Sequence, residues 1–112
     1  MERRQFPRVP IDEPHFALIA IEQGPSLTML LVDLGRGGLQ TVFPPGQDIE
    51  KKSLLGKTVT VSQLPASVSQ ASGIENSVKG TITWVSPQRC GIRFASPLDI
   101  GDEELAALLE SL

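Results

Sequence analysis

The chain has 112 residues, 40% of them hydrophobic and 21% charged, with a net charge of −3. That length suits one domain with one core, and that balance excludes both a disordered chain and a general binder of nucleic-acid backbones. One cysteine, Cys90, and one histidine, His15, exclude an intramolecular disulfide and a zinc centre of the usual Cys/His type.

Residues 1–14 carry three prolines and Arg3, Arg4 and Arg8. Proline removes a backbone donor and restricts its predecessor, so the spacing predicts an extended arm. The opening is not followed by an apolar run and does not read as a secretory signal. No apolar run approaches the roughly 20 residues of a membrane-spanning helix, so the expected location is the cytoplasm.

Residues 15–22 are apolar and β-branched, 23–26 have turn chemistry, and 27–32 are apolar again, which predicts an antiparallel hairpin. His15 is expected at a strand edge. A glycine-rich turn over 33–38 leads to a third strand, with Leu39, Thr41 and Phe43 on one face. Pro44-Pro45-Gly46 breaks the sheet, and a short helical turn over 47–55 is expected to end at Gly56. The alternation of residues 57–64 predicts a fourth strand, with Val59 and Val61 on one face and Thr58, Thr60 and Ser62 on the other. Residues 65–76, rich in Ser, Ala and Gly, read as a mobile loop.

Residues 77–85 place Val78, Gly80, Ile82 and Trp84 on one face, and 89–95 form the hairpin partner. Cys90 is expected to serve there as a small core hydrophobe. Leu105, Leu108, Leu109 and Leu112 follow helical spacing, with Asp99 or Asp102 available as a cap and Glu103 and Glu104 suited to the helix N-terminus. Residues 99–112 hold five acids and no cation. Six short strands closed by one helix predict a small antiparallel β-barrel.

Two stretches carry chemistry. Arg4-Gln5-Phe6-Pro7-Arg8 places two arginines four apart on an extended segment. A guanidinium is planar and always charged, and its fork of donors fits guanine O6 and N7 or two phosphate oxygens. A solvated basic tail fits the same pair. Asp33-Leu34-Gly35-Arg36-Gly37-Gly38-Leu39 offers a carboxylate able to accept from a guanine edge, with glycines able to reach positive φ or admit a close approach. A plain strand-connecting turn, with Asp33 bonding its own backbone, also fits.

Taken together, R-x-x-x-R followed about 25 residues later by D-x-G-x-x-G resembles the PilZ family, whose pattern is R-x-x-x-R and [D/N]-x-[S/A]-x-x-G. Gly80-x-x-x-Trp84-Val85 and Gly91-Ile92-Arg93-Phe94 are similar to the family's later strands, so the resemblance spans the chain. It implies a PilZ-like barrel over residues 15–112 and a flexible ligand-binding arm over 1–14. It also implies a bacterial cyclic di-GMP receptor that signals to a downstream protein partner, as a monomer or weak homodimer. The implied contacts are Arg4 and Arg8 to guanine faces and phosphates, Asp33 to a guanine edge, and Gly38 at the turn, with smaller contributions from Arg3 and Arg36.

Gly35 departs from the family's Ser or Ala and loses any hydroxyl contact, about 1 kcal/mol. That departure motivates the alternative of a PilZ-fold interaction module that takes no nucleotide. No catalytic elbow, nucleophile–base pair, metal set or cofactor motif is present, so the expectation is a binding protein with no enzymatic activity, no nucleic-acid partner and no membrane insertion.

Overall fold

A computed structural model describes residues 6–46, 50–74 and 77–112. Seven strands form one antiparallel sheet: β1 (Val9–Pro10), β2 (Phe16–Ile21), β3 (Ser26–Gly35), β4 (Gly38–Val42), β5 (Thr58–Ser62), β6 (Ser77–Val85) and β7 (Arg89–Phe94). Strands β3, β2, β5, β6, β7 and β4 pair in that order, and β4 returns to β3. Six strands therefore close a barrel, and closure removes the unpaired edges that an open sheet of this size would expose.

Period-two alternation builds the core. Ala17, Ile19 and Ile21 on β2, Val59 and Val61 on β5, and Cys90, Ile92 and Phe94 on β7 all point inward and are buried. Leu39, Thr41 and Phe43, expected on one face, are all buried. The Thr41 hydroxyl lies 3.6 Å from Met29 Sδ and 3.3 Å from Cys90 Sγ, so its polar atom finds soft partners in the interior. Burial pushes the Cys90 thiol pKa up, against a smaller lowering by the Thr41 hydrogen bond.

Three elements differ from the reading of the sequence. Residues 66–72 are not a loop but a helix, α1 (Ala66–Ser72), ended by Gly73 in the left-handed region at φ 73°. Its buried residues Val68 and Ser72 are four apart on one face; the Ser/Ala composition hid a two-turn amphipathic helix. The helical turn before Gly56 is a 3₁₀ turn, Lys51–Leu54, while residues 47–49 lie outside the described residues. The C-terminal helix α2 (Asp102–Glu110) buries Leu105 and Leu109 as expected, but Gly101 stands at its N-cap and neither Asp99 nor Asp102 caps it. Leu112 lies beyond it, 43% exposed.

A further difference matters for the site. Between Ile82 and Trp84 the register of β6 against β7 shifts by one residue, a β-bulge. An uninterrupted strand would turn Trp84 inward with Ile82. The extra residue leaves Ile82 buried and sends both Thr83 and Trp84 to the outer surface.

Candidate functional site

Sheet register assembles the site on the outer wall of the barrel. One row of paired residues runs Pro10, Asp33, Gln40, Gly91, Trp84 across β1, β3, β4, β7 and β6. The neighbouring row runs Gly35, Gly38, Arg93, Thr81. Asp33 thus lies within β3 rather than in a turn, and the reversal is confined to Arg36 and Gly37.

The N-terminal arm crosses these rows. It is anchored where Val9 and Pro10 pair with Leu34 and Asp33, and where the Ile11 amide donates to the Val32 carbonyl at 2.9 Å. That anchor delivers Arg8 to Asp33, where Nη1 donates to Oδ1 at 3.1 Å with both side chains only 13% exposed. A carboxylate and a guanidinium this far from water form a charge-assisted bond that fixes the arginine's orientation.

Gly38 has a steric role rather than a conformational one. Gly35, Gly37 and Gly38 are not among the glycines at positive φ, which are Gly46, Gly56 and Gly73. Instead, a methyl group on Gly38 would overlap the Ile92 carbonyl and come within 2.9 Å of Arg8 Nη2. One on Gly35 would overlap the Pro7 carbonyl. The expected flexible turn at Gly35 is a paired strand residue on which the arm lies.

Beside the arm opens a groove of about 730 Å³, lined by Phe6, Arg8 and Gly37 on one side and by Thr81, Thr83, Trp84 and Arg93 on the other. Trp84, 37% exposed, lies across Gly91, where any side chain would collide with the indole. The groove therefore offers an aromatic face, two hydroxyls and two guanidinium groups in one concavity. Such a set can stack a planar heterocycle and bind an anion.

Of the residues singled out in the sequence, the structure brings together Arg8, Asp33, Gly35 and Gly38. Arg3 and Arg4 lie outside the described residues. Arg36 turns away from the groove: its Nε donates to the Leu98 carbonyl at 3.2 Å and its guanidinium lies 4.9 Å from the centre of the Phe6 ring. Trp84, Arg93, Thr81 and Thr83 were missed: strict alternation hid the bulge that turns Trp84 outward, and Arg93, Thr81 and Thr83 read as ordinary outward residues of a hairpin. The legible clue was Gly91, a residue without a side chain, in the hairpin partner of a tryptophan strand.

Among the described residues, no group of His, Cys, Asp and Glu side chains is placed to hold a metal ion, and no helix is long and apolar enough to cross a membrane.

Comparison with solved structures finds the same fold in the PilZ domain with c-di-GMP of YcgR from Escherichia coli, at 18% identity and a TM-score of 0.61, covering 99% of this chain and 92% of that one. It is also found in the Bacillus subtilis inhibitor of motility MotI/DgrA, at 17% identity and a TM-score of 0.55, covering 99% of this chain but 49% of that one. No curated protein sequence matches. The model of the PilZ domain matches residues 2–111, nearly the whole length over which the arm, the barrel and α2 were described. The chain belongs to the PilZ domain family.

Proposed function

We propose that this chain is a receptor for cyclic di-GMP, held in the groove between the arm and the β6–β7 wall. The observation that carries the reading is the convergence of Arg8, oriented by Asp33, with Trp84 and Arg93 around one concavity. Cyclic di-GMP is a dianion with two guanines. It suits a site built from guanidinium forks and an aromatic face better than one built from ammonium point charges. The E. coli domain of the same fold is described with this nucleotide, which supports the choice of ligand.

In this reading Arg8 donates to a phosphate or to guanine O6 and N7, and Arg4 joins it from the same arm. Asp33 holds Arg8 in place or accepts from a guanine edge once the pair opens. Trp84 stacks a base, and Arg93 with Thr81 and Thr83 supplies donors on the far wall. Gly35 and Gly38 keep the wall low enough for arm and ligand to approach. The protein catalyses nothing; occupancy changes the surface that the arm and barrel offer a downstream partner in the cytoplasm.

A second reading, an interaction module of PilZ fold that takes no nucleotide, draws on one feature. Arg8 and Asp33 already satisfy each other, so a ligand must compete for both. Calorimetric titration of the full chain with cyclic di-GMP separates the two, using GMP as control ligand and Arg4→Ala and Arg8→Ala as control proteins. Micromolar or tighter binding, lost in both variants, is expected. Absence of heat at high protein concentration would leave the interaction module.

A further inference from the structure

The arm makes a second set of contacts that the nucleotide reading does not use. Pro7 lies on Gly35 so closely that a Cβ there would overlap its carbonyl. The Phe6 ring lies on Gly37, where a Cβ would come within 2.7 Å of Cδ2. The other side of this nest is Arg36, its guanidinium 4.9 Å from the Phe6 ring centre.

Arg36 is itself held in place. Its Nε donates to the Leu98 carbonyl, and its own carbonyl accepts from the Leu98 amide at 2.8 Å. Leu98 is buried, and the Phe94 amide donates to the Gly37 carbonyl at 2.8 Å. The turn that receives Phe6 is therefore fixed to the barrel from behind. A cation fixed over an aromatic ring, beside two positions without side chains, is a socket for that ring.

We infer that Phe6 is a positioning residue which, with Gly35, Gly37 and Arg36, seats the arm against the barrel before any ligand arrives. Glycine in place of the family's Ser or Ala is then not a lost contact. A Cβ at position 35 occupies the space of the Pro7 carbonyl, so this chain exchanges a side chain for a lower, pre-formed arm. Preorganisation of this kind raises affinity by removing the ordering cost from the binding step. Arg36, although it belongs to the glycine-rich turn, serves the arm and not the nucleotide. The effect on affinity rests on the receptor reading; the seat itself does not.

The test uses the full chain without nucleotide. Amide hydrogen exchange is followed at Ile11, whose N–H bonds the Val32 carbonyl where the arm is anchored, together with the rate of tryptic cleavage after Arg8. Gly35→Ser, Phe6→Ala and Arg36→Ala are each expected to speed both about ten-fold, the size of one lost cation–π and packing contact. Phe6→Tyr, which keeps the ring, is expected to restore protection. Unchanged melting temperatures separate release of the arm from damage to the barrel. In titrations with cyclic di-GMP, the same variants should bind about ten-fold more weakly and Phe6→Tyr as tightly as the parent. Exchange and cleavage in Gly35→Ser and Phe6→Ala equal to the parent would overturn the seat. Faster exchange in a chain that binds no cyclic di-GMP would uphold it while removing the receptor reading.

Discussion

Arg8 and Asp33 stand 25 residues apart in the chain and 3.1 Å apart in space. The sequence singled out both, Arg8 as the second arginine of R-x-x-x-R and Asp33 as the first residue of D-x-G-x-x-G. Their contact with each other was not legible, since either residue alone suits a guanine. Asp33→Asn keeps the shape and removes the charge that holds the guanidinium. Hydrogen bonds to charged groups contribute about 1.5–3 kcal/mol, so affinity for cyclic di-GMP is expected to fall between ten- and a hundred-fold. The chain has one tryptophan and no tyrosine, so the fluorescence of Trp84 in the groove wall follows the titration. Equal affinity in the variant would mean that Asp33 does not orient Arg8. Cys90 permits a second test away from the site. Its folded pKa is raised above the ordinary value of 9.0 by burial, so above that value the unfolded chain releases a proton the folded chain keeps. The stability this contributes is present in full below pH 9 and declines as pH rises toward the folded value. Urea midpoints measured at about pH 8 and pH 10 should show a steeper loss for the parent than for Cys90→Ala.

Elements were legible where one period dominated. β2 and β5 follow strict alternation, as does β7 apart from Gly91, which Trp84 covers, and their buried side chains are those the pattern marks. The bulge in β6 breaks that rule by one residue, and every face assignment beyond it inverts, which is why alternation grouped Trp84 with Ile82 on one face. Helix α1 escaped for another reason: Val68 is the one large apolar residue within it, so no apolar stripe announced the helix. Its partner α2 shows such a stripe because leucines form it. Leu105 is 1% exposed and shares the core with Leu98, Ile100 and Val68. Leu105→Ala removes its methyl groups without a neighbour free to fill the space, at an expected cost of 2–5 kcal/mol, roughly the range for buried leucines. Chemical denaturation measures this directly. A cost below about 1 kcal/mol would mean that α2 is peripheral to the barrel rather than part of its core.

For the whole molecule, closure decides how ligand and fold are linked. β3 pairs with β2 at one edge and β4 at the other, and the arm joins it through Val9–Pro10 and the bond from the Ile11 amide to the Val32 carbonyl. No arm residue belongs to the fully buried cluster: Phe6 and Arg8 lie on the outer wall, while Val9 and Ile11 pack against the core only partly buried. Stability of the free chain and stability gained from ligand should separate cleanly. A ligand at a hundred times its dissociation constant, bound only by the folded state, contributes about 2.7 kcal/mol. For a domain of this size each kcal/mol raises Tm by about 4–8 °C. Saturating cyclic di-GMP is thus expected to raise the parent's Tm by about 10–20 °C. In the absence of nucleotide Arg8→Ala should still unfold in one cooperative transition, at a Tm lowered by the loss of the bond to the 13%-exposed Asp33 carboxylate, a bond of about 1.5–3 kcal/mol. It should show little of the rise, because the charge that recognises the ligand is gone while the fold is intact. A variant that shows no cooperative transition without nucleotide would place Arg8 among the groups that hold the barrel together, and its loss of binding would then follow from unfolding rather than recognition.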